Sequence, residues 1–126
     1  MIQYKTKLNI VDNSGVKEVQ CIGLYKKQKN ARIGDKILVV IKKLNKSKKK
    51  EKSIKKLEIG FIRKAIIVRT KIYFKRKNNF LIKFFSNDCI FINKKEIPIY
   101  NRIKGPILFE LAKKNIWIAT IAEKII

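Results

Sequence analysis

The chain has 126 residues, with 32 lysines and arginines against nine aspartates and glutamates, a formal net charge of +23 and a pI near 10.3. That length suits one domain, and a composition that is 46% hydrophobic, rich in Ile, Val, Leu and Phe, excludes an intrinsically disordered chain. Apolar stretches such as 65–68 and 117–119, and the longer run 37–41, fall far short of the roughly 18 to 20 residues that a spanning helix requires.

In chain order, the first residues, Met1 to Lys5, show no secretory or transit pattern, so the protein is expected to work where it is made, in a reducing compartment. Leu8, Ile10 and Val11 lead into Asp12-Asn13-Ser14-Gly15, where Asn and Gly accept positive φ at little cost, predicting a hairpin or tight loop. Val19, Cys21 and Gly23 then alternate as a half-buried strand. A polar loop over 26–30 and a Gly34-Asp35 turn precede the apolar run 37–41, which has the composition of a strand buried on both faces. From Lys42 to Lys56, nine of fifteen residues are lysine, a low-complexity basic loop placed at about 42–58.

Strand character resumes over 65–71, 80–85 and 89–92. Asn78-Asn79 is the predicted turn between 72–74 and 80–82, giving a hairpin rimmed by Lys75, Arg76, Lys77 and Lys83. Strands that recur with turn signals between them favour a closed barrel over an open sheet. Beyond Pro98 the pattern changes to a short helical part at about 105–126. Pro106 is placed at the first helical position, Ile107, Leu108, Leu111 and Ala112 share one face, and Lys113-Lys114-Asn115 closes the helix. Trp117 to Ile126 reads as either a second short helix or an extended tail, with Trp117 as a packing anchor.

A surface this basic repels itself when free and is relieved by a polyanion, because each neutralised phosphate releases condensed counterions. No basic amphipathic helix or lipid anchor stands out, so a nucleic acid, not a membrane, is the expected partner. Acid–base catalysis wants a poised histidine or paired carboxylates, and the chain has no histidine and only scattered acids, so no catalytic residue is named. Phosphate-cradling glycine motifs and zinc spacings are absent too, so no cofactor or metal is expected. Asp35, Glu58, Asp88 and Glu110 read as turn, cap or ion-pair residues. Cys21 and Cys89 lack CxxC spacing and read as reduced, half-buried strand residues. Ile, Lys, Asn, Phe and Tyr supply 72 of the 126 residues, a bias of A+T-rich genomes that accounts for part of the lysine count.

Several blocks fall in order along the whole chain: Met1-Ile2-Gln3, Asp12-Asn13-Ser14-Gly15, Gly34-Asp35, Ala65 to Lys71, Asn87 with Cys89, Pro98-Ile99 and Arg102-Ile103-Lys104-Gly105-Pro106. In these blocks the chain resembles the large-subunit ribosomal protein L-fourteen family. The resemblance implies a mainly β fold: one domain over 1–126 with a five-stranded β-barrel, a projecting β-ribbon and short C-terminal helices. It also implies a non-enzymatic constituent of the large ribosomal subunit that binds large-subunit rRNA and meets small-subunit rRNA at an intersubunit bridge. Implied neighbours are the large-subunit proteins L-three and L-nineteen, and a ribosomal silencing factor that docks on the same face. The chain departs from the family in its longer 43–64 segment, in Asn78-Asn79 where the family has Asp-Gly, and in Tyr100-Asn101 where it has Gly-Thr.

Arginine, scarce at five residues, offers a planar fork to phosphate that lysine lacks. Arg69 and Arg102, inside family blocks, are therefore the leading RNA-binding candidates, followed by Arg63 and Arg76, then Lys71, Lys77 and Lys104, the arm residues Lys48, Lys49 and Lys50, and Asn13 and Ser14 at the turn. Tyr73, Phe74 and Tyr100 read as core aromatics at strand spacing, not as stacking platforms. The expected setting is the ribosome of a reduced A+T-rich bacterium or of an organelle. The rival reading is a free RNA-binding barrel or translation factor.

Overall fold

The computed structural model describes residues 2–25, 29–45 and 58–126. Five strands form a closed barrel: β1 (Lys7–Ile10), β2 (Val16–Leu24), β3 (Lys36–Leu44), β4 (Ile62–Arg69) and β7 (Asp88–Phe91). The first four pair antiparallel in sequence order, β4 pairs antiparallel with β7, and β7 closes the ring through a parallel contact with β1, with Asn9 opposite Asp88 and Ile10 opposite Cys89. Closure leaves these strands no open edge to template aggregation.

Period-two alternation fills the barrel with side chains. Leu8 and Ile10, Val19 and Cys21, Ile37, Val39 and Ile41, Ala65 and Ile67, and Cys89 and Phe91 form one buried cluster drawn from all five strands. The 37–41 run does not have two buried faces, because Leu38 and Val40 are only partly covered. The doubly buried strands are β4 and β7, whose outward residues Ile66, Val68 and Ile90 belong to a second cluster with Ile92, Ile103, Ile107, Leu108, Leu111 and Ile118. That covering layer also explains why β7 is buried at every position. Cys21 and Cys89 are fully buried, not half-buried, and both are free thiols.

The covering layer is the C-terminal part, and here the sequence expectation needs correcting. Gly105 and Pro106 lie in a strand, β8 (Ile103–Ile107), and the helix α1 starts later, at Phe109–Lys114. A proline is tolerated because β8 belongs to a two-stranded sheet, paired in parallel with β9 (Ala122–Ile125). Leu111 and Ala112 are buried on α1 as the apolar spacing predicts. Asn115 then caps α2 (Ile116–Ile121), its Oδ1 accepting from the Trp117 and Ile118 N–H groups at 3.1 and 3.4 Å. The tail is thus a helix followed by a strand, and Trp117, at 57% exposure, is not the packing anchor expected of it.

The ribbon is β5 (Phe74–Lys75) against β6 (Leu81–Ile82), shorter than the 80–85 strand expected. Asn79 takes the left-handed conformation at φ 68°, so it does the work of the family's glycine in that turn. Tyr100 also fits without its family glycine: it is not among the positive-φ residues, and its ring packs 6.4 Å from that of Phe91 and against the barrel core. β3 continues to Leu44, so the start of the basic loop is strand, and the rest of that segment, 46–57, lies outside the described residues.

Candidate nucleic-acid interface

At one rim of the barrel, the turn after β1 and the segment before β8 are tied together. Asp12 is buried, and its carboxylate accepts the Ser14 N–H at 3.0 Å and the Phe91 N–H at 3.1 Å, which fixes the turn to β7. Gly15 completes the turn at φ 86°. Asn13 Nδ2 donates to Asn101 Oδ1 at 2.7 Å, joining the turn to the segment that carries Arg102. Burial raises the Tyr100 hydroxyl pKa, the Asp12 charge raises it further and the Arg63 charge lowers it, which places Arg63 within electrostatic reach of this rim. Arg102 itself is exposed, on the short connection into β8. Four of the sequence-predicted residues, Asn13, Ser14, Arg63 and Arg102, therefore share one region. The Ser14 N–H is already taken by Asp12 and is not open to a phosphate.

Arg69 faces inward. At 8% exposure it sits at the end of β4, where its Nε donates to Asp88 Oδ2 at 2.6 Å and its Nη1 donates to the Lys104 and Pro106 carbonyls at 2.9 and 2.8 Å. Ser86 Oγ donates to the same carboxylate at 2.8 Å. A buried ion pair persists only where its remaining polar sites are satisfied, and the β8 carbonyls do that here. The guanidinium is thus a clamp that holds β8 on the barrel. Gly105 makes room for it: φ is +81°, and a Cβ there would stand 2.5 Å from Arg69 Nη1. The Gly-Pro pair was legible in the sequence only as a change of architecture, and the tight approach needed the fold to reveal it. Lys104, exposed, is held by its own N–H to the Val11 carbonyl at 2.8 Å, and Lys71, also exposed, by its N–H to Asn87 Oδ1 at 2.9 Å.

Arg76 and Lys77 stand apart on the ribbon. Arg76 pairs with Glu110 of α1 at 3.0 Å and donates to the Ile126 carbonyl, so it too is engaged within the chain, whereas Lys77 is exposed. Lys48, Lys49 and Lys50 lie outside the described residues. The acids behave as local partners: Asp35 accepts the Arg32 N–H at 2.8 Å, and Glu96 pairs with Lys36. Burial pushes both thiols up, Cys89 well up, with the Asp12 and Asp88 charges adding to it, so both stay protonated and unreactive near neutral pH. Among the described residues no group of three His, Cys, Asp or Glu side chains could hold a metal, and no helix is long and apolar enough to cross a membrane.

The described residues define a small basic β-barrel protein with exposed cations beside its rim. A family model described as ribosomal protein L14p/L23e matches residues 1–126. The large ribosomal subunit protein uL14m of Neurospora crassa is 39% identical over 119 residues, 91% of each chain. The protein uL14c of Helicosporidium is 38% identical over 92% of this chain and 91% of its own, and uL14 of Aquifex aeolicus is 38% identical over the whole of both. The chain belongs to the ribosomal protein L14p/L23e family, a structural and non-enzymatic kind of protein.

Proposed function

We propose that this chain, a structural constituent of the large ribosomal subunit, holds large-subunit rRNA through exposed cations beside the barrel rim, Arg102 and Lys104 with Arg63 near them, and through Lys71 past the other end of β4. The observation that carries the reading is Arg102, an exposed guanidinium set on a segment that Asn101 ties to the Asp12 turn and Arg69 ties to the barrel core. Among the described residues its fork has none of the internal partners that occupy Arg69 and Arg76, and it is therefore placed to take a phosphate bidentately. Lys77 and the arm residues Lys48, Lys49 and Lys50 extend the footprint in the proposal, while Asn13 and Ser14 shape the rim. Arg69 and Arg76 act on RNA only through the segments they hold.

The same rim contributes to an intersubunit bridge with small-subunit rRNA, beside proteins L-three and L-nineteen, and offers a ribosomal silencing factor its docking face. The ribosome is that of a reduced A+T-rich bacterium or of an organelle, in keeping with the codon bias and with relatives named uL14m, uL14c and uL14. Co-sedimentation tests the reading. The chain is expected to stay with the large subunit through a high-salt wash, whereas release into the supernatant would favour a free RNA-binding factor.

A further inference from the structure

A groove of about 850 Å³ opens between the loop that leads into β3, the root of the ribbon and the end of α1. Lys29, Arg32, Lys75 and Lys114 line it, all exposed, and all outside the rim described above. Its one carboxylate, Asp35, already accepts the Arg32 backbone N–H. Two further features distinguish this groove from a merely basic surface. Tyr73 lines it at 61% exposure, so it is no core aromatic, and the Lys83 ammonium stands over its ring, 5.3 Å from the centroid. Asn30 lines the groove as well, and its Oδ1 is buried and accepts no hydrogen bond among the described residues.

We infer that this groove binds an unpaired RNA segment, with its phosphates on the four cations, one unstacked base against the Tyr73 ring and a donor from that nucleotide on Asn30 Oδ1. The inference rests on the rRNA-binding reading and adds a second contact site to it. Charge alone would suit any polyanion, but an exposed aromatic ring offers most to a base, since every base has a π-face. A duplex would leave the ring idle, because paired RNA is met through its phosphates, 2′-hydroxyls and shape. An unpartnered buried acceptor calls for a donor from the ligand, and unpaired bases and ribose hydroxyls both supply one.

Fluorescence anisotropy with the full chain tests this, using a labelled eight-nucleotide single-stranded RNA, a hairpin duplex of similar charge and polyglutamate. Tyr73→Leu is expected to weaken single-strand binding about tenfold, the loss of one base–aromatic stack, while leaving the duplex within about twofold. Tyr73→Phe should keep near-wild-type affinity because it keeps the ring. Replacing Lys29 and Arg32 together by Gln should flatten the single-strand log–log salt slope by about 1.4, at roughly 0.7 per lost phosphate contact. A silent Tyr73→Leu, or a Phe variant as weak as Leu, overturns the inference. Equal losses for single-stranded RNA and polyglutamate overturn it as well and assign the groove to an acidic protein segment. If Arg102→Gln weakens binding to a large-subunit rRNA fragment while Tyr73→Leu is silent, the groove inference fails alone; a wild-type chain that does not co-sediment with the large subunit removes the reading beneath it.

Discussion

The seam between β4 and β8 and the rim beside it each carry one arginine, and the two arginines do opposite work. Arg69 has its charge buried against Asp88 and its donors on two β8 carbonyls, whereas Arg102 projects from the connection that this clamp holds still. A guanidinium's planar fork suits a carboxylate and backbone carbonyls as well as it suits a phosphate. Side-chain chemistry therefore does not separate a clamp from a contact; burial does. The seam engages its guanidinium fully within the chain, and the rim leaves its guanidinium exposed to solvent.

The largest effect should come from breaking the seam. Arg69→Met leaves Asp88 buried without its counter-charge and should cost about 3 to 5 kcal/mol in a urea denaturation series, against roughly 5 to 15 kcal/mol of total stability for a typical domain. Gly105→Ala attacks the same place from the other side, by strain at φ +81° and by crowding Arg69 Nη1, and about 1 to 3 kcal/mol should be lost. Gly60→Ala sharpens the point. It meets comparable backbone strain at φ +96° but open space, and should lose less than Gly105→Ala in the same assay.

At the rim the pattern inverts. Arg102→Gln should leave stability within about 0.5 kcal/mol, as an exposed substitution, yet weaken binding to a large-subunit rRNA fragment about tenfold, the worth of a charge-assisted contact. Equal losses of stability at both arginines would erase the distinction. Alkaline pH probes the barrel beneath the rim. Cys21, Cys89 and Tyr100 all hold their protons above the ordinary values of 9.0 and 10.0, so the unfolded chain ionises first and stability should fall as pH rises through that window. Tyr100→Phe should flatten the upper part of that fall in melts taken across the range. A small change is expected at the ribbon tip: Asn79→Gly should move the midpoint by no more than the equivalent of about 0.5 kcal/mol and leave RNA binding unchanged, because the residue already has a conformation glycine accepts.

The barrel was legible in the sequence because strand alternation and turn residues are local signals, and Leu8, Val19 and Cys21 announce their inward faces by spacing alone. The C-terminal part was less so. Pro106 fits the start of a helix as well as a peripheral strand, and only the parallel partner β9, drawn from the last residues of the chain, decides between them. Which strand is buried on both faces depends likewise on what covers the barrel, so apolar content pointed to β3 while the covering layer sits on β4 and β7. At the interface, the blocks holding Asn13, Arg102 and Lys104 stood out in the sequence. The inward turn of Arg69, the exposure of Tyr73 and the Arg76 pair with Glu110 are products of tertiary packing, which no spacing rule encodes.

The central claim is that exposed cations on a rigid barrel, not a reactive or apolar site, hold the RNA. The salt dependence of binding to a large-subunit rRNA fragment tests it most directly. With about six to ten phosphates neutralised, the log–log slope should lie near −5 to −9; Arg102→Gln should flatten it by about 0.9, and Arg69→Lys, which keeps the buried charge, should leave it unchanged. A wild-type slope shallower than about −2 would contradict the account.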